Sequence, residues 1–298
     1  MTTVTSAYFA DQSDANDYFA LLKPRVMSLV VFIGLAGMMA APVSLHPVLA
    51  FTTILCIAIG AGAAGCINMW YERDVDALMS RTRNRPIPSG RIAPESALAF
   101  GVTLAAASVL LQGLAVNILS AVILAISILF YVFVYTIWLK RRTPQNIVIG
   151  GAAGAFPPLI GWAAATGTID AAPLSMFLLV FLWTPPHFWA LALYKSGDYA
   201  RAGIPMLPVV RGRQSTLNHI LAYSLTLIPA SLLPWYFGAA GLFYAATAGA
   251  LSVLFVILAA QLWRSEKDIV EKRAKQLFGY SILYLFLVFA ILMADAVR

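Results

Sequence analysis

The fold is decided by a stretch in which a long uncharged segment runs directly into a dense cluster of charges. It covers residues 48–91 and reads VLAFTTILCIAIGAGAAGCINMWYERDVDALMSRTRNRPIPSGR. The first part is long enough to cross a bilayer, whereas the part from Glu72 to Arg91 holds three carboxylates and five arginines. Ionisable side chains at the edge of hydrocarbon are costly unless they are paired, metal-bound or wetted. The stretch therefore predicts a membrane helix that delivers a charged functional site to the water interface.

The composition of the whole chain indicates a polytopic membrane protein. Of the 298 residues, 61% are hydrophobic and only 11% are charged, and the mean hydropathy is +0.82. Ordinary soluble domains are less apolar than this. The apolar stretches predict an all-α fold of about nine transmembrane helices, with eight or ten as alternatives because only the region of Asn117 separates the third from the fourth. The nine lie at about 26–44, 48–69, 95–116, 118–138, 147–166, 173–194, 215–236, 240–262 and 276–296.

The positive charges predict the orientation of these helices. Lys and Arg concentrate in the loops that stay cytoplasmic. If the chain crosses the membrane nine times, every basic residue except Arg298 lies on the same face of the membrane. The N-terminus and the segment 1–22 are therefore predicted to be cytoplasmic. The net charge of +7 follows from this topology, so it does not indicate nucleic-acid binding. The first residues carry neither a secretory nor a transit signal, which favours the cytoplasmic (inner) membrane of a bacterium.

The chain is predicted to form a single integral-membrane domain over residues 1–298. Acidic residues at the exits of the second and sixth spans recur with a period of four spans. This period favours two related four-helix halves, about 23–140 and 143–263, followed by a ninth helix at about 276–296. No repeat at the level of residues supports the duplication.

The first candidate site consists of an amide and two carboxylates on one helical face. At about 100° per residue, Asn68, Glu72 and Asp76 lie within about 80° of one another, whereas Asp74 points the other way. Two like charges about 4 Å apart repel by about 4 kcal/mol at an effective dielectric constant of about 20, so this face needs a bound cation or a shared proton. Oxygen ligands without His or Cys favour Mg²⁺. The alternative is a solvated helix end whose carboxylates pair with neighbouring arginines.

The arginines that follow predict an anion site. Arg81, Arg83 and Arg85 lie in a loop that Pro and Gly stiffen. A guanidinium group binds phosphate oxygens in a planar, bidentate way. Carboxylates beside arginines are explained together if a metal-bound diphosphate lies between them. The alternative is a run of positive-inside arginines that binds no ligand.

The second candidate site lies at the end of the predicted sixth span. His187, Leu191, Tyr194 and Asp198 follow one another at spacings of four, three and four, which is one stripe of a helix. His187 is then about 16 Å deeper in the membrane than Asp198. The prolines just before it, residues 185–186, predict a kink that opens room beside the His187 ring. The alternative for a lone membrane histidine is a hydrogen-bonded packing residue.

Together the two sites resemble the UbiA-type intramembrane prenyltransferases. An Asn-x-x-x-[Asp/Glu]-x-x-x-Asp motif follows the second span and a Tyr-x-x-x-Asp motif follows the sixth, and the resemblance covers nearly the whole chain. Three stretches are similar to the protohaem IX farnesyltransferase branch of that family. They are RTRNRP at 81–86, TPQNIVIGGAAG at 143–154, and the segment 186–212 that begins with Pro-His and ends with Val-Val-Arg-Gly.

The resemblance implies a helical bundle around a central cavity that opens to the cytoplasmic side. It also implies a catalytic metal and diphosphate site made by both motifs, with Tyr194 and Lys195 as members. The Mg²⁺ ligands would be Asn68, Glu72, Asp76 and Asp198, with Asp74 as a substitute if the helix unwinds. The residues that would neutralise the leaving diphosphate are Arg81, Arg83, Arg85, Lys195 and Arg211.

The implied reaction transfers the farnesyl group of farnesyl diphosphate to a vinyl group of protohaem IX (haem B). Water then adds to the resulting cation, which gives haem O and diphosphate for terminal oxidase haem biosynthesis. His187 would contact the haem, as an iron ligand or as a partner of a propionate. The implied partners are the two substrates, the lipid bilayer and a haem A synthase or oxidase assembly factor.

Departures from the family pattern keep alternatives open. The first carboxylate of the motif is commonly Asp, and here it is Glu72, which is one methylene longer. The leading rival is an aromatic-acid prenyltransferase of the same fold that acts on 4-hydroxybenzoate in quinone biosynthesis, although its second motif usually starts with Asp where this chain has Tyr194. The remote alternative is a secondary transporter, which predicts ionisable residues near the bilayer midplane; apart from His187 they lie at the inner edge.

Overall fold

The structure is a computed structural model that describes residues 14–296, and within that range it contains helices and no strands. Eight of these helices are long and apolar enough to cross a membrane, and a bent pair of shorter helices at the start raises the number to nine. The prediction of an all-α membrane protein with about nine spans is confirmed. Arg298, whose position was predicted to be on the outer side, lies outside the described residues.

The helices occur close to the predicted spans, because the length of each apolar segment sets the length of a membrane helix. The short ones are α1 (Ala15–Leu21), α4 (Arg73–Leu78), α7 (Asn146–Gly150), α10 (Ser196–Arg201) and α11 (Leu207–Val210). The long ones are α2 (Pro24–Met39), α3 (Pro47–Tyr71), α5 (Pro94–Ala115), α6 (Ile118–Leu129), α8 (Ala152–Thr166), α9 (Ala171–Tyr194), α12 (Gly212–Tyr236), α13 (Leu242–Trp263) and α14 (Val270–Ala296). A π-helix, Phe130–Leu139, continues α6 directly.

The start of the bundle differs from the prediction. The described part of the segment 1–22 contains a helix, α1, which meets α2 at an angle of 53°, and the cytoplasmic location of the segment stays a prediction. Lys23 at the bend has a φ of 52°, a left-handed conformation that is unusual for a residue other than glycine. Pro24 follows it, and a proline disfavours the α conformation in the residue before it. α2 also ends at Met39, five residues before the predicted end at 44.

The weakest predicted boundary, between the third and fourth spans, lies where the sequence indicated. Asn117 caps α6, because its side-chain oxygen accepts a hydrogen bond from Ser120 N at 2.9 Å. Its side-chain amide also donates to the carbonyl oxygens of Ala163 and Ala164, both at 3.0 Å. Asn117 therefore both separates α5 from α6 and ties this turn to the end of α8.

Close packing of α2 on α8 depends on glycine. A Cβ added to Gly37 would lie 2.2 Å from the carbonyl oxygen of Pro158, and one added to Gly161 would lie 2.1 Å from that of Gly34. Small residues let membrane helices approach to backbone contact in this way. The contact holds α2 against α8, and α8 packs in turn on α9, the helix that carries His187 and Tyr194.

Candidate functional site

The charged end of the bundle, defined by Glu72, Asp76, Lys140, Lys195 and Asp198, forms where two long helices break. Glu72 lies between α3 and α4, with φ −98° and ψ 12°. Lys195 lies between α9 and α10, with φ −115° and ψ 15°. Each break turns a membrane helix into a short helix that carries an aspartate.

The break at Glu72 does not separate the three polar residues of the first motif. Glu72 N donates to Asn68 O at 3.0 Å, and Asp76 N donates to Glu72 O at 2.8 Å. The three residues are only 1–3% exposed, and Asn68 Nδ2 donates to Glu72 Oε2 at 2.8 Å. The other oxygen of Glu72, Oε1, is buried without a hydrogen-bond partner. The sequence spacing therefore brings one amide and two carboxylates together, and it leaves one carboxylate oxygen unused.

Basic side chains from three separate parts of the chain meet this group. Lys140 pairs with Glu72 Oε2, Arg85 Nη1 donates to Asp76 Oδ2 at 2.7 Å, and Lys23 Nζ donates to Asn68 Oδ1 at 2.9 Å. Arg85 was predicted as a diphosphate residue. The sequence assigns the two lysines only to cytoplasmic loops, because it does not indicate that a charge 68 or 45 positions away folds onto the motif.

The π-helix positions Lys140. Its wider turn is closed by a backbone hydrogen bond from Lys140 N to Tyr135 O at 2.9 Å, five residues apart. Thr136 on the same helix accepts a hydrogen bond from Asn68 Nδ2 at 3.2 Å. Burial lowers the pKa of Lys140, but the charge and the hydrogen bond of Glu72, together with the nearby Tyr131 and Tyr199, raise it by more, so its pKa lies above the ordinary value. Lys140 is therefore a fixed positive charge beside Glu72.

Asp74 has a different environment. Its side chain is 62% exposed and accepts two hydrogen bonds from Arg141, at 2.6 and 2.8 Å. The hydrogen bond from Arg141 lowers the pKa of Asp74. Asp74 points away from the buried carboxylates, as the helical spacing predicts, and it is already engaged in an ion pair.

The second motif reaches the first through Asp198. Its carboxylate is buried, accepts a hydrogen bond from Ser80 Oγ at 2.8 Å and pairs with Arg201. The hydrogen bond from Ser80 lowers the pKa of Asp198, and Arg201 and Lys195 add to the effect against the opposing influence of burial. Ser80 follows α4, so this contact joins the two breaks although the residues are 118 positions apart.

The remaining predicted anion ligands have no ion-pair partner among the described residues. Arg81, Arg83 and Arg211 are exposed and Lys195 is half-buried, and within residues 14–296 none of the four makes an ion pair or donates a side-chain hydrogen bond.

Tyr194 is half-buried. Its ring packs edge-on against Phe278 at 6.0 Å, and the ammonium group of Lys275 lies 5.6 Å from the ring centroid.

His187 lies about two turns deeper in α9 than Tyr194, between two aromatic rings. Trp183 stacks on it with a centroid distance of 4.4 Å, and Phe278 does so at 4.6 Å. His187 Nδ1 is 2.6 Å from Ser281 Oγ. Only 8% of the residue is exposed. Ser281, on α14, was not identified from the sequence, because a small hydroxyl residue in a membrane helix ordinarily indicates packing.

The donor set fits a hard cation without forming a complete metal site. In the described part of the chain, no three His, Cys, Asp or Glu residues converge into a group that could hold a metal ion by themselves. The available donors are nevertheless carboxylate and amide oxygens, which suit Mg²⁺, and the buried Glu72 Oε1 lacks a partner. The set fits an ion that completes its coordination with water and substrate phosphate.

A cavity of about 520 Å³ lies at the opposite end of the bundle, away from these residues. It is lined in part by Asp170 and Asp295, and both carboxylates cap helices. Asp170 Oδ1 accepts from Ala172 N at 2.9 Å, and Asp295 Oδ2 accepts from Gly241 N at 2.6 Å. Its acidic side chains are accounted for by helix capping.

Comparison with known proteins gives the family. The model of the UbiA prenyltransferase family matches residues 29–293. A relative from Rhizorhabdus wittichii, named protoheme IX farnesyltransferase, is 61% identical over 96% of this chain and 95% of its own length. A relative of the same name from Parvibaculum lavamentivorans is 57% identical over 94% of this chain and 89% of its own.

Solved structures share the fold at low sequence identity. A digeranylgeranylglyceryl phosphate synthase superposes with a TM-score of 0.77 at 19% identity, covering 95% of this chain and 98% of its own. A UbiA homologue from Archaeoglobus fulgidus, bound to DMAPP and Mg²⁺, gives a TM-score of 0.67 at 17% identity over 92% of this chain and 99% of its own. On the match over residues 29–293 and the identity to relatives along almost its whole length, this chain belongs to the UbiA prenyltransferase family and is a prenyltransferase.

Proposed function

We propose that the protein transfers a farnesyl group from farnesyl diphosphate to a vinyl group of protohaem IX, with addition of water, to give haem O and diphosphate. The observation that carries the proposal is the buried set of Asn68, Glu72 and Asp76 joined through Ser80 to Asp198. The names of the relatives supply the substrates, since proteins up to 61% identical are called protoheme IX farnesyltransferase. The product would serve the haem of a terminal oxidase.

Mg²⁺ is the proposed cofactor, held by Asn68, Glu72, Asp76 and Asp198. The unpartnered Glu72 Oε1 supports this assignment, as does the Mg²⁺ bound to a UbiA homologue of the same fold. When bound, the ion would neutralise charge that grows on the diphosphate oxygens as the C–O bond breaks. Asp74 is not proposed as a ligand, because its side chain is 62% exposed and points away from the buried carboxylates toward Arg141.

The basic residues of the charged end are proposed to bind the diphosphate. Arg81, Arg83, Lys195 and Arg211 have no ion-pair partner among the described residues and are available for an anion. Arg85 belongs to the same predicted set, although here it neutralises Asp76. These guanidinium and ammonium groups would orient the diphosphate and stabilise it as it leaves.

The acceptor side of the reaction is assigned to the stripe of α9. Tyr194 lies at its charged end and His187 lies deeper, between aromatic rings. The prenyl cation that forms when diphosphate leaves must be kept from water until the vinyl group has attacked, and apolar side chains exclude water there. His187 is proposed to contact the haem in this region.

The proposed setting is the inner membrane of a bacterium, with the charged end facing the cytoplasm. The clustering of basic residues at that end supports this orientation. Haem B and farnesyl diphosphate are the proposed small-molecule partners, and a haem A synthase or an oxidase assembly factor is the proposed recipient of the product.

A direct assay tests the function. The purified protein in nanodiscs is incubated with haem B, farnesyl diphosphate and Mg²⁺, and the porphyrins are analysed by mass spectrometry. We expect a product heavier than haem B by one farnesyl group and one hydroxyl group, and none when EDTA removes the metal. Asp76→Asn is the inactive control and Asp74→Asn the matched active one. Prenylation of 4-hydroxybenzoate in place of haem would overturn the acceptor.

A further inference from the structure

The hydrogen bonds of Ser281 determine which ring nitrogen of His187 carries the proton. Ser281 is fully buried, and its Oγ lies 2.6 Å from His187 Nδ1 and 2.6 Å from the carbonyl oxygen of Phe278. A carbonyl oxygen can only accept, so the single hydroxyl proton of Ser281 lies on that side. Without it, two oxygen atoms would face each other at 2.6 Å with no hydrogen between them. The network therefore assigns the proton of the ring to Nδ1, which donates to Ser281 Oγ.

This tautomer leaves a lone pair on Nε2 of His187. Nε2 makes no hydrogen bond within residues 14–296, and it is not one of the fully buried polar atoms that lack a partner there. The two faces of the ring are covered by Trp183 and Phe278. A third ring, that of Phe188, packs against His187 at 5.0 Å and an angle of 84°. A ligand can thus approach His187 only at the edge of its ring, where Nε2 is not fully buried.

Ser281 also holds one of the two covering rings. Its backbone carbonyl accepts a hydrogen bond from Trp183 Nε1 at 2.8 Å, while its side chain holds His187. One residue on α14 thus fixes the orientation of two neighbouring rings on α9. In a metal-binding histidine, one ring nitrogen binds the metal and the other donates a hydrogen bond to an oxygen atom, which sets the tautomer and the orientation of the ring. His187 and Ser281 have the same arrangement.

We infer that Ser281 is a positioning residue that presents the Nε2 lone pair of His187 to the iron of protohaem. The inference rests on the proposed function, in which protohaem is the acceptor. It chooses between the two roles open to His187, since a lone pair binds iron but repels a propionate carboxylate. A propionate partner would need a second ring proton, and hence a positive charge buried between two aromatic rings.

Haem binding without turnover tests the inference. Ferric protohaem is titrated into the purified protein in detergent, without farnesyl diphosphate, and its Soret and visible bands and its electron paramagnetic resonance spectrum are recorded. We expect the spectrum of a histidine-ligated haem. It is lost in His187→Gly and restored by added imidazole. Ser281→Ala is expected to weaken haem binding about 10- to 100-fold, the range for loss of the hydrogen-bond partner of a metal-bound histidine. Ser281→Thr keeps the hydroxyl group and is expected to stay close to wild type.

Ser252→Ala is the matched control. Ser252 is equally buried, but its side chain hydrogen-bonds Ser231, Tyr284 and the carbonyl oxygen of Ala248, and it makes no hydrogen bond to His187 or Trp183. Its variant is expected to keep the wild-type spectrum and affinity. An unchanged spectrum in His187→Gly, or equal effects of Ser281→Ala and Ser252→Ala, would overturn the inference.

The outcome separates this inference from the proposed function. Farnesylated haem made by a protein whose haem spectrum does not depend on His187 would leave the function intact and remove the ligand assignment. A His187-dependent spectrum without any farnesylated product would do the opposite.

Discussion

At the charged end, Glu72 stands between α3 and α4 in much the same way as Lys195 stands between α9 and α10. The two residues have similar backbone angles, yet one is a buried carboxylate paired with Lys140 and the other a half-buried amine without an ion pair in residues 14–296. The same way of breaking a membrane helix thus delivers a carboxylate to the charged end at one site and an ammonium group at the other. Similar breaks are what two related halves would produce; that duplication stays a prediction.

The largest effect is expected at the first break. Glu72→Gln keeps the shape of the side chain but removes the charge proposed to hold Mg²⁺, so kcat should fall about 10²- to 10³-fold, the range seen when one electrostatic contact to a transition state is lost. Asp74→Asn, two residues further on and paired with Arg141, should stay within about threefold of wild type. Steady-state turnover over a range of Mg²⁺ concentrations measures both. Equal, mild effects would undermine the metal site.

Replacing one lysine at each break should lower the free energy of unfolding by different amounts. Lys140→Met leaves the 1%-exposed Glu72 without its ion pair, and the loss of one partner of a buried pair costs about 3 kcal/mol of unfolding free energy. Lys195→Met breaks no ion pair and should cost at most about 0.5 kcal/mol. Denaturation of both variants in detergent, without substrate, gives the comparison. Equal losses of unfolding free energy would mean that the ion pair between Lys140 and Glu72 does not stabilise the fold.

The contact between the two breaks should matter less than either break. Ser80→Ala removes the hydrogen bond to Asp198, and we expect kcat/KM to fall about tenfold, equivalent to about 1.4 kcal/mol. Ser89→Ala is the control from the same loop, because within residues 14–296 the side chain of Ser89 bonds only to the nearby carbonyl oxygens of Arg85 and Pro86. If both variants behaved alike, the link from Ser80 would not couple the two motifs.

The smallest effect concerns pH. The pKa of Asp74 is below its ordinary value of 3.8, so its pair with Arg141 stabilises the fold above that pH and is lost as the pH falls through the lowered pKa. The melting temperature of wild type should therefore exceed that of Asp74→Asn slightly at neutral pH, and the two should converge below about pH 3.8. Thermal unfolding of both proteins across this range is the measurement. A difference that persisted in acid would have another origin.

The sequence predicts the membrane fold well because one physical quantity, the length of each apolar segment, sets both the span and its ends. It also predicts that Asn68, Glu72 and Asp76 share a face, since helical spacing alone gives that result. It does not predict the bend at Lys23, where a left-handed residue and the following proline separate α1 from α2.

The cations of the site could not be derived in the same way. Lys140 and Lys23 obey the rule for cytoplasmic loops, so their charge is explained before any tertiary contact is considered. Their pairing with Glu72 and Asn68 depends on how helices far apart in the chain pack. Ser281 is harder still, because its role appears only when its two hydrogen bonds are seen with His187 and Phe278 together.

Because of the π-helix, the direction in which the Lys140 side chain points depends on how many residues the segment 130–139 contains. Its turns are closed across five residues, so it holds more chain per turn than the α-helix that precedes it. Deleting one residue there would let the segment rewind as an α-helix, and everything after the deletion would rotate by about 100° about the helix axis. Natural insertions and deletions should therefore be rare in this segment, even where substitutions of its lipid-facing side chains are common.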